Sequence, residues 1–211
     1  DKKVKSTWFM TNATPVVELL NNHKDLFEIG IHPNFFPNSS HGKNYFQVME
    51  NILNIFPNAK SVRTHSLYQS EPLLEMMVEN FNIKVDCSQF LKNCANLEPH
   101  KLQYRKNGNY LIRVPHFFQD NMNMNDESFW DINNNSYNTK GLKVFNFHPI
   151  HIALNSKSQT KYNQLKKSYQ LSKITKRDID NFINEENGTK SLFLNLLRLL
   201  SKSKSSLKIF D

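Results

Sequence analysis

Leu26-Phe-Glu-Ile-Gly-Ile-His-Pro-Asn34 carries the first decision about the fold. Its apolar, β-favouring residues are too few for a helix and run straight into His, Pro and Asn, so the segment reads as a buried strand that stops at a polar loop. Residues 4–10, 59–63 and 83–87 are further short runs of this kind, and helical patterns lie between them. Thr14-Pro15 is a helix-start signal ahead of residues 16–20. Residues 45–56 place Phe46, Met49, Ile52, Leu53 and Phe56 at helical spacing, and Ser70, Glu71 and Pro72 open another helix through residue 80. Strand and helix alternating in this way predict parallel strands with helices outside, as a sheet or a barrel. Less regular strands are expected at 110–114 and 142–147, with a weaker one at 102–104.

Parallel α/β folds place their chemistry at the carboxyl ends of the strands. Four predicted strands end in a histidine: His32-Pro33-Asn34, Arg63-Thr64-His65-Ser66, Arg113 leading to Pro115-His116 and Asp120, and His148-Pro149. One such histidine is more often a capping residue than a ligand. Four at equivalent ends outweigh that reading, because neutral imidazole is the commonest ligand for zinc-like ions and a rim histidine is suited to acid or base work. A strand-end arginine can orient a carboxylate or steady negative charge. His151 is either a partner of His148 or a surface residue, and Asp86 is equally a site carboxylate or a helix cap. His23, His41 and His100 receive no role.

The 211 residues, 38% hydrophobic with 16 Phe, suffice for one folded domain and exclude wholesale disorder. No apolar run approaches the roughly 18 residues of a membrane span. Two cysteines, Cys87 and Cys94, make no disulfide framework and point to a reducing, cytoplasmic setting. The formal charge of +8 is uneven. Residues 1–156 carry 15 Lys and Arg against 14 Asp and Glu, whereas residues 157–211 carry 12 against 5. The expectation is therefore a nearly neutral α/β domain over 1–156 and a basic helical extension over 157–211. Its lysines are read as a solvated face, or as a peripheral contact with anionic membrane at its inner face. No nucleic-acid partner is expected, since interleaved aromatics are missing. The asparagine-rich residues 121–138 read as a long surface loop of the binding or lid type.

Five blocks then resemble a known family in order: Val4-Lys-Ser-Thr-Trp-Phe-Met-Thr11, Phe27-Glu-Ile-Gly-Ile-His-Pro-Asn34, Arg63-Thr-His-Ser66, Arg113-Val-Pro-His-Phe-Phe-Gln-Asp120 and Phe147-His-Pro149. They are similar to the polysaccharide deacetylase superfamily (NodB homology, carbohydrate esterase family four), in its WbmS-like bacterial branch, over residues 4–152. The resemblance implies a distorted (β/α) barrel with a divalent metal, Zn2+ first among candidates, that activates water against an N-acetyl or O-acetyl carbonyl of a carbohydrate. It implies His32 and His65 as metal ligands, His148 as the acid for the departing group, and Arg63, Arg113 and Asp120 as residues that tune it. Asn34 and His116 are the candidate substrate contacts. Two departures accompany it. Phe36 stands where a His-x-x-x-His ligand would fall, and the family's first strand, with paired aspartates, is expected before Val4 and is absent from this sequence. A deacetylase of envelope polysaccharide precursors is thus expected, with a catalytically silent carbohydrate-binding domain as the alternative.

Overall fold

The computed structural model describes residues 3–104, 108–124 and 126–211. Asp1 lies outside them, as does Asn125 of the asparagine-rich segment. Six strands, β1 (Ser6–Met10), β2 (Phe27–Ile31), β3 (Ser61–Val62), β4 (Val85–Asp86), β5 (His100–Gln103) and β6 (Tyr110–Arg113), form one sheet in the order β1-β2-β3-β4-β6-β5. Every neighbouring pair is parallel except β5 with β6, which turns back antiparallel at the edge. Helices α1 (Val16–Asn21), α2 (Tyr45–Ile55) and α3 (Glu71–Phe81) make the crossovers. A mostly parallel α/β core is therefore what the alternating pattern produced.

Local chemistry explains these elements. Asn44 caps α2 by accepting from the Gln47 amide at 2.9 Å. Pro72 occupies the first turn of α3, and left-handed Asn82 ends it. Along β2, Ile29 and Ile31 face the core built with Met49, Ile52, Leu73 and Met77 from α2 and α3. Glu28 and Gly30 face the other way, where the Glu28 carboxylate accepts from Thr7 Oγ1 at 2.6 Å and Ser61 Oγ at 2.5 Å.

A second pair, β7 (Phe118–Gln119) and β8 (Phe145–Asn146), is also parallel. An isolated bridge from Phe90 to His116 carries the end of β4 toward it. Around β7 lies a separate core of Phe117, Phe118, Trp130 and Leu192. Phe129 and Trp130 enter it from the segment expected to be a surface loop. That expectation is corrected: the segment contains α4 (Asp120–Asn123) and two 3-10 turns, and Phe129 and Trp130 anchor it inward.

The C-terminal residues form α5 (Pro149–Leu154), α6 (Gln159–Ser168), α7 (Lys176–Asp180) and α8 (Thr189–Ser203). Asn155 joins them: its Oδ1 accepts from the Lys190 amide at 3.0 Å, and its Nδ2 donates to the carbonyls of Asn184 and Glu186 at 2.9 and 2.7 Å. The chain then returns to β1, where Lys5 N donates to Ser206 Oγ at 2.9 Å and Ile209 N to Thr7 Oγ1 at 2.8 Å.

Gly30 shows how closely the face of the sheet opposite that core is filled. A Cβ there would lie 2.6 Å from Ser61 Oγ and 2.7 Å from the Phe9 ring. We expect Gly30→Ala to lower the unfolding free energy by about 1–3 kcal/mol, read from urea titrations, as overpacking does.

Candidate active site

The backbone ladder extends past the ends of β2 and β3, and this fixes two histidines side by side. His32 N donates to the Met10 carbonyl at 2.8 Å, and Arg63 N to the Ile31 carbonyl at 3.0 Å. His32 Nδ1 lies 2.7 Å from the Arg63 carbonyl. A carbonyl only accepts, so Nδ1 carries the proton and Nε2 keeps its lone pair, the form a metal ligand needs. Burial, with the Arg63 charge beside it, pushes the His32 imidazole down to about 3, so it stays neutral. The His65 ring stands 5.5 Å away at 82°, and burial lowers its pKa as well.

The turn after His65 is strained. Ser66 and Leu67, neither of them glycine, both occupy the left-handed region, at φ 53° and 57°. Hydrogen bonds from the two residues ahead of it anchor it: His65 N to the Pro33 carbonyl at 2.9 Å, and Thr64 N to Ser88 Oγ at 2.9 Å.

Across from this pair stands Asp120, which is wholly buried. Its Oδ2 accepts from the His148 backbone N–H at 2.7 Å, and its Oδ1 pairs with His148 Nδ1 at 2.6 Å. The His148 side chain keeps 39% of its surface exposed. With Nδ1 paired to the carboxylate, Nε2 is the ring nitrogen outside that pair. His148 stands close enough to His32 and His65 for the three rings to interact electrostatically.

His151, one turn along α5, completes the group. It is buried, and its Nδ1 lies 3.1 Å from Ser156 Oγ. Donor atoms of Asp120, His148 and His151 all fall within 4.8 Å of one another, a set that can hold a divalent ion. The three-residue spacing of His148 and His151 at a helix start was the sequence signal for this, but burial decides between partner and surface residue.

The other strand-end residues are distributed differently from the expectation. His116 is fully buried, stacked on Phe90 at 4.8 Å, with Nε2 2.9 Å from Gln119 Oε1. A substrate cannot reach it, and its expected role as a contact is corrected to that of a support beneath the site. Arg113 is likewise withdrawn from the Asp120–His148 pair. Its Nε forms an ion pair with buried Asp86 Oδ2 at 2.7 Å, and its Nη2 donates to Gln69. Asp86 is thus the partner of Arg113, and no helix starts at it to be capped. Arg63 remains close: it is buried, reaches Gln119 Oε1 at 3.5 Å, and interacts with the Asp120 charge. Asn34 Oδ1 accepts from the Phe36 amide at 3.1 Å, shaping the loop after His32.

Burial, then the nearby Arg63 charge, lowers the His116 imidazole from 6.5 to about 3. The unfolded chain therefore takes up that proton first as the solution is acidified. Stability from this residue is complete above pH 6.5 and is lost as pH falls toward 3. Urea midpoints at pH 7, 5.5 and 4.5 should fall in that order, and His116→Asn should flatten part of the slope.

The donors present are imidazole nitrogens and carboxylate oxygens, a chemistry that suits zinc and similar divalent ions. No curated protein matches the chain. A solved structure from Bordetella bronchiseptica, described as a candidate polysaccharide deacetylase involved in O-antigen biosynthesis, is 26% identical. The match covers 94% of this chain and 80% of that one, with a TM-score of 0.79. The WbmS-like polysaccharide deacetylase model matches residues 1–166. On that match, and on the Asp120–His148–His151 group beneath it, the chain belongs to the WbmS-like polysaccharide deacetylase family.

Proposed function

We propose that the chain is a metal-dependent hydrolase that removes an acetyl group, bound through nitrogen or oxygen, from a bacterial sugar or envelope polysaccharide precursor. The Asp120–His148 pair, set against the neutral His32 and His65, is the observation that carries this reading. The O-antigen role given to the Bordetella protein supports a lipopolysaccharide-type substrate. His32 and His65 are the ligands on one wall, each offering a neutral imidazole. A bound divalent ion, Zn2+ by donor type, supplies Lewis acidity and lowers the pKa of water toward neutrality. His148 gives a proton from Nε2 to the departing nitrogen or oxygen. Asp120 steadies the imidazolium through Nδ1 and fixes the ring by its backbone N–H. Arg63 is a positioning residue: its buried charge interacts with Asp120 and, after burial, helps keep His32 neutral. Asn34 lies where the loop after His32 can offer a polar contact to the sugar.

A second reading has one observation in its favour, the close grouping of Asp120, His148 and His151. There the ion sits on these three and His148 is a ligand. Both carboxylate oxygens of Asp120 already serve His148, which favours the first arrangement.

No described helix is long and apolar enough to cross a membrane. We place the protein in the cytoplasm from its free cysteines, with residues 1–156 as the catalytic domain and the basic residues 157–211 facing an anionic surface.

Metal analysis and acetate release test the reading together. About one equivalent of divalent ion is expected, lost in His32→Ala and in His65→Ala. Asp120→Asn is expected to keep the ion and to slow turnover by about 10²–10⁴-fold. Loss of metal in His151→Ala with retention in His32→Ala selects the second arrangement. A protein that binds sugar but neither holds metal nor releases acetate is the silent binding domain instead.

A further inference from the structure

A cavity of about 270 Å³ is lined by Glu127, Trp130, Asp131, Lys157, Glu186 and Asn187, none of which belongs to the histidine group above. Its walls come from two parts of the chain. Glu127–Trp130 is a 3-10 turn beyond α4, and Glu186 and Asn187 precede α8. Asn155, at the end of α5, holds the second wall by donating from Nδ2 to the Glu186 carbonyl at 2.7 Å. Lys157 bridges the walls: its Nζ pairs with Glu127 Oε1 at 2.9 Å and with Glu186 Oε2 at 2.5 Å. The cavity is thus formed before anything enters it, which limits the ordering cost of binding.

Two independent observations point to an occupant. The first is a donor. Trp130 is 3% exposed and packs edge-on against Phe118 at 6.3 Å, yet its Nε1 has no hydrogen-bond partner among the described residues. An indole N–H only donates, and leaving it buried and unpaired is costly, so it calls for an acceptor atom in the cavity. The second is charge. Three carboxylates face one ammonium, and that ammonium already serves two of them. Asp131 is the carboxylate outside the bridge, and it is held in place by the Asn133 amide at 2.9 Å and the Asn133 side chain at 3.0 Å, both at Oδ1. An anion is repelled by this lining, and a hydrocarbon satisfies neither the indole nor the carboxylates. A protonated amine with neighbouring hydroxyls satisfies both, because the ammonium suits Asp131 and the hydroxyl oxygens accept from Trp130. The volume lies just below the usual range for small-molecule pockets and suits a molecule of monosaccharide size.

We infer that this cavity is a second ligand site, separate from the reaction site, and that it takes the ammonium form of an amino sugar. Hydrolysis of an N-acetyl group yields such an amine and acetate, so the choice of an amino sugar rests on the deacetylase reading. The requirement for a cation that carries hydroxyls comes from the cavity alone.

The chain has two tryptophans, so Trp8→Phe leaves Trp130 as the sole indole and its fluorescence reports on the cavity. The probe is glucosamine, protonated, titrated into that variant; N-acetylglucosamine is the same ring without the charge. Glucosamine is expected to give a saturable change with a Kd at least about tenfold below that of N-acetylglucosamine, the order a charge-assisted hydrogen bond gives. Adding Asp131→Asn should raise the glucosamine Kd about tenfold. Glu127→Gln, at a side chain 71% exposed where folding is not at stake, should raise it about threefold. His32→Ala, at the reaction site, should leave it within about twofold. No saturable change, equal affinity for the two sugars, a Kd unmoved by Asp131→Asn and Glu127→Gln, or a Kd raised in His32→Ala overturns the second site. Acetate release is read separately: its absence from the parent defeats the deacetylase reading, while the titration still judges the cavity.

Discussion

The structure turns on one buried carboxylate. Asp120, with no exposed surface, accepts three N–H groups: the backbone and ring nitrogens of His148, and the Asn121 amide at 2.7 Å. A carboxylate taken out of water costs several kcal/mol unless its oxygens are satisfied, so these bonds dictate the placement of their donors. His148 opens α5, 28 residues away in sequence. The bond therefore ties the end of β7 to the chain leaving β8, which runs parallel to it with Phe118 opposite Phe145 and Gln119 opposite Asn146. The aromatic core of Phe117, Phe118 and Trp130 packs around the same junction. One interaction thus fixes a fold junction and orients a part-exposed imidazole.

The remaining site follows from how charge and neutrality are divided. Burial, with the charge of buried Arg63 beside them, holds His32 and His116 near a pKa of 3. Gln119 links the group through one oxygen, which faces both His116 Nε2 and Arg63 Nη2. Neutral rings near a fixed cation suit ligands or supports. His148, paired with a carboxylate and part-exposed, suits proton transfer. The same imidazole chemistry meets three environments that differ in solvent and charge.

Much of the fold was legible because its signals are local. The runs at 26–31 and 4–10 became β2 and β1, the helical spacing at 45–56 became α2, and the proline-marked start at 70–72 became α3. The histidines at the ends of β2, β3 and β8 were recognisable once the strands were taken as parallel. The two-residue strand β7 was not legible, since the apolar pair Phe117-Phe118 has no periodicity to distinguish it. Nor was the inward packing of Phe129 and Trp130, because asparagine-rich composition signals turns and says nothing of what lies beneath them. Arg113 illustrates the general difficulty. Its partner was set by the β4–β6 register that places Asp86 opposite it, a pairing of residues 27 apart in sequence.

By itself, then, the sequence determined the alternation of strand and helix, the polar strand ends and the concentration of positive charge in residues 157–211, because hydrophobic period and turn chemistry act over a few residues. Only the tertiary structure decided which strand-end groups meet. It brought His151 in beside Asp120 and His148, buried His116 under the site, assigned Arg113 to Asp86, and returned the C-terminal tail to β1. Those outcomes depend on long-range register and on the cost of burying a charge without a partner, and neither is written in any local stretch of residues.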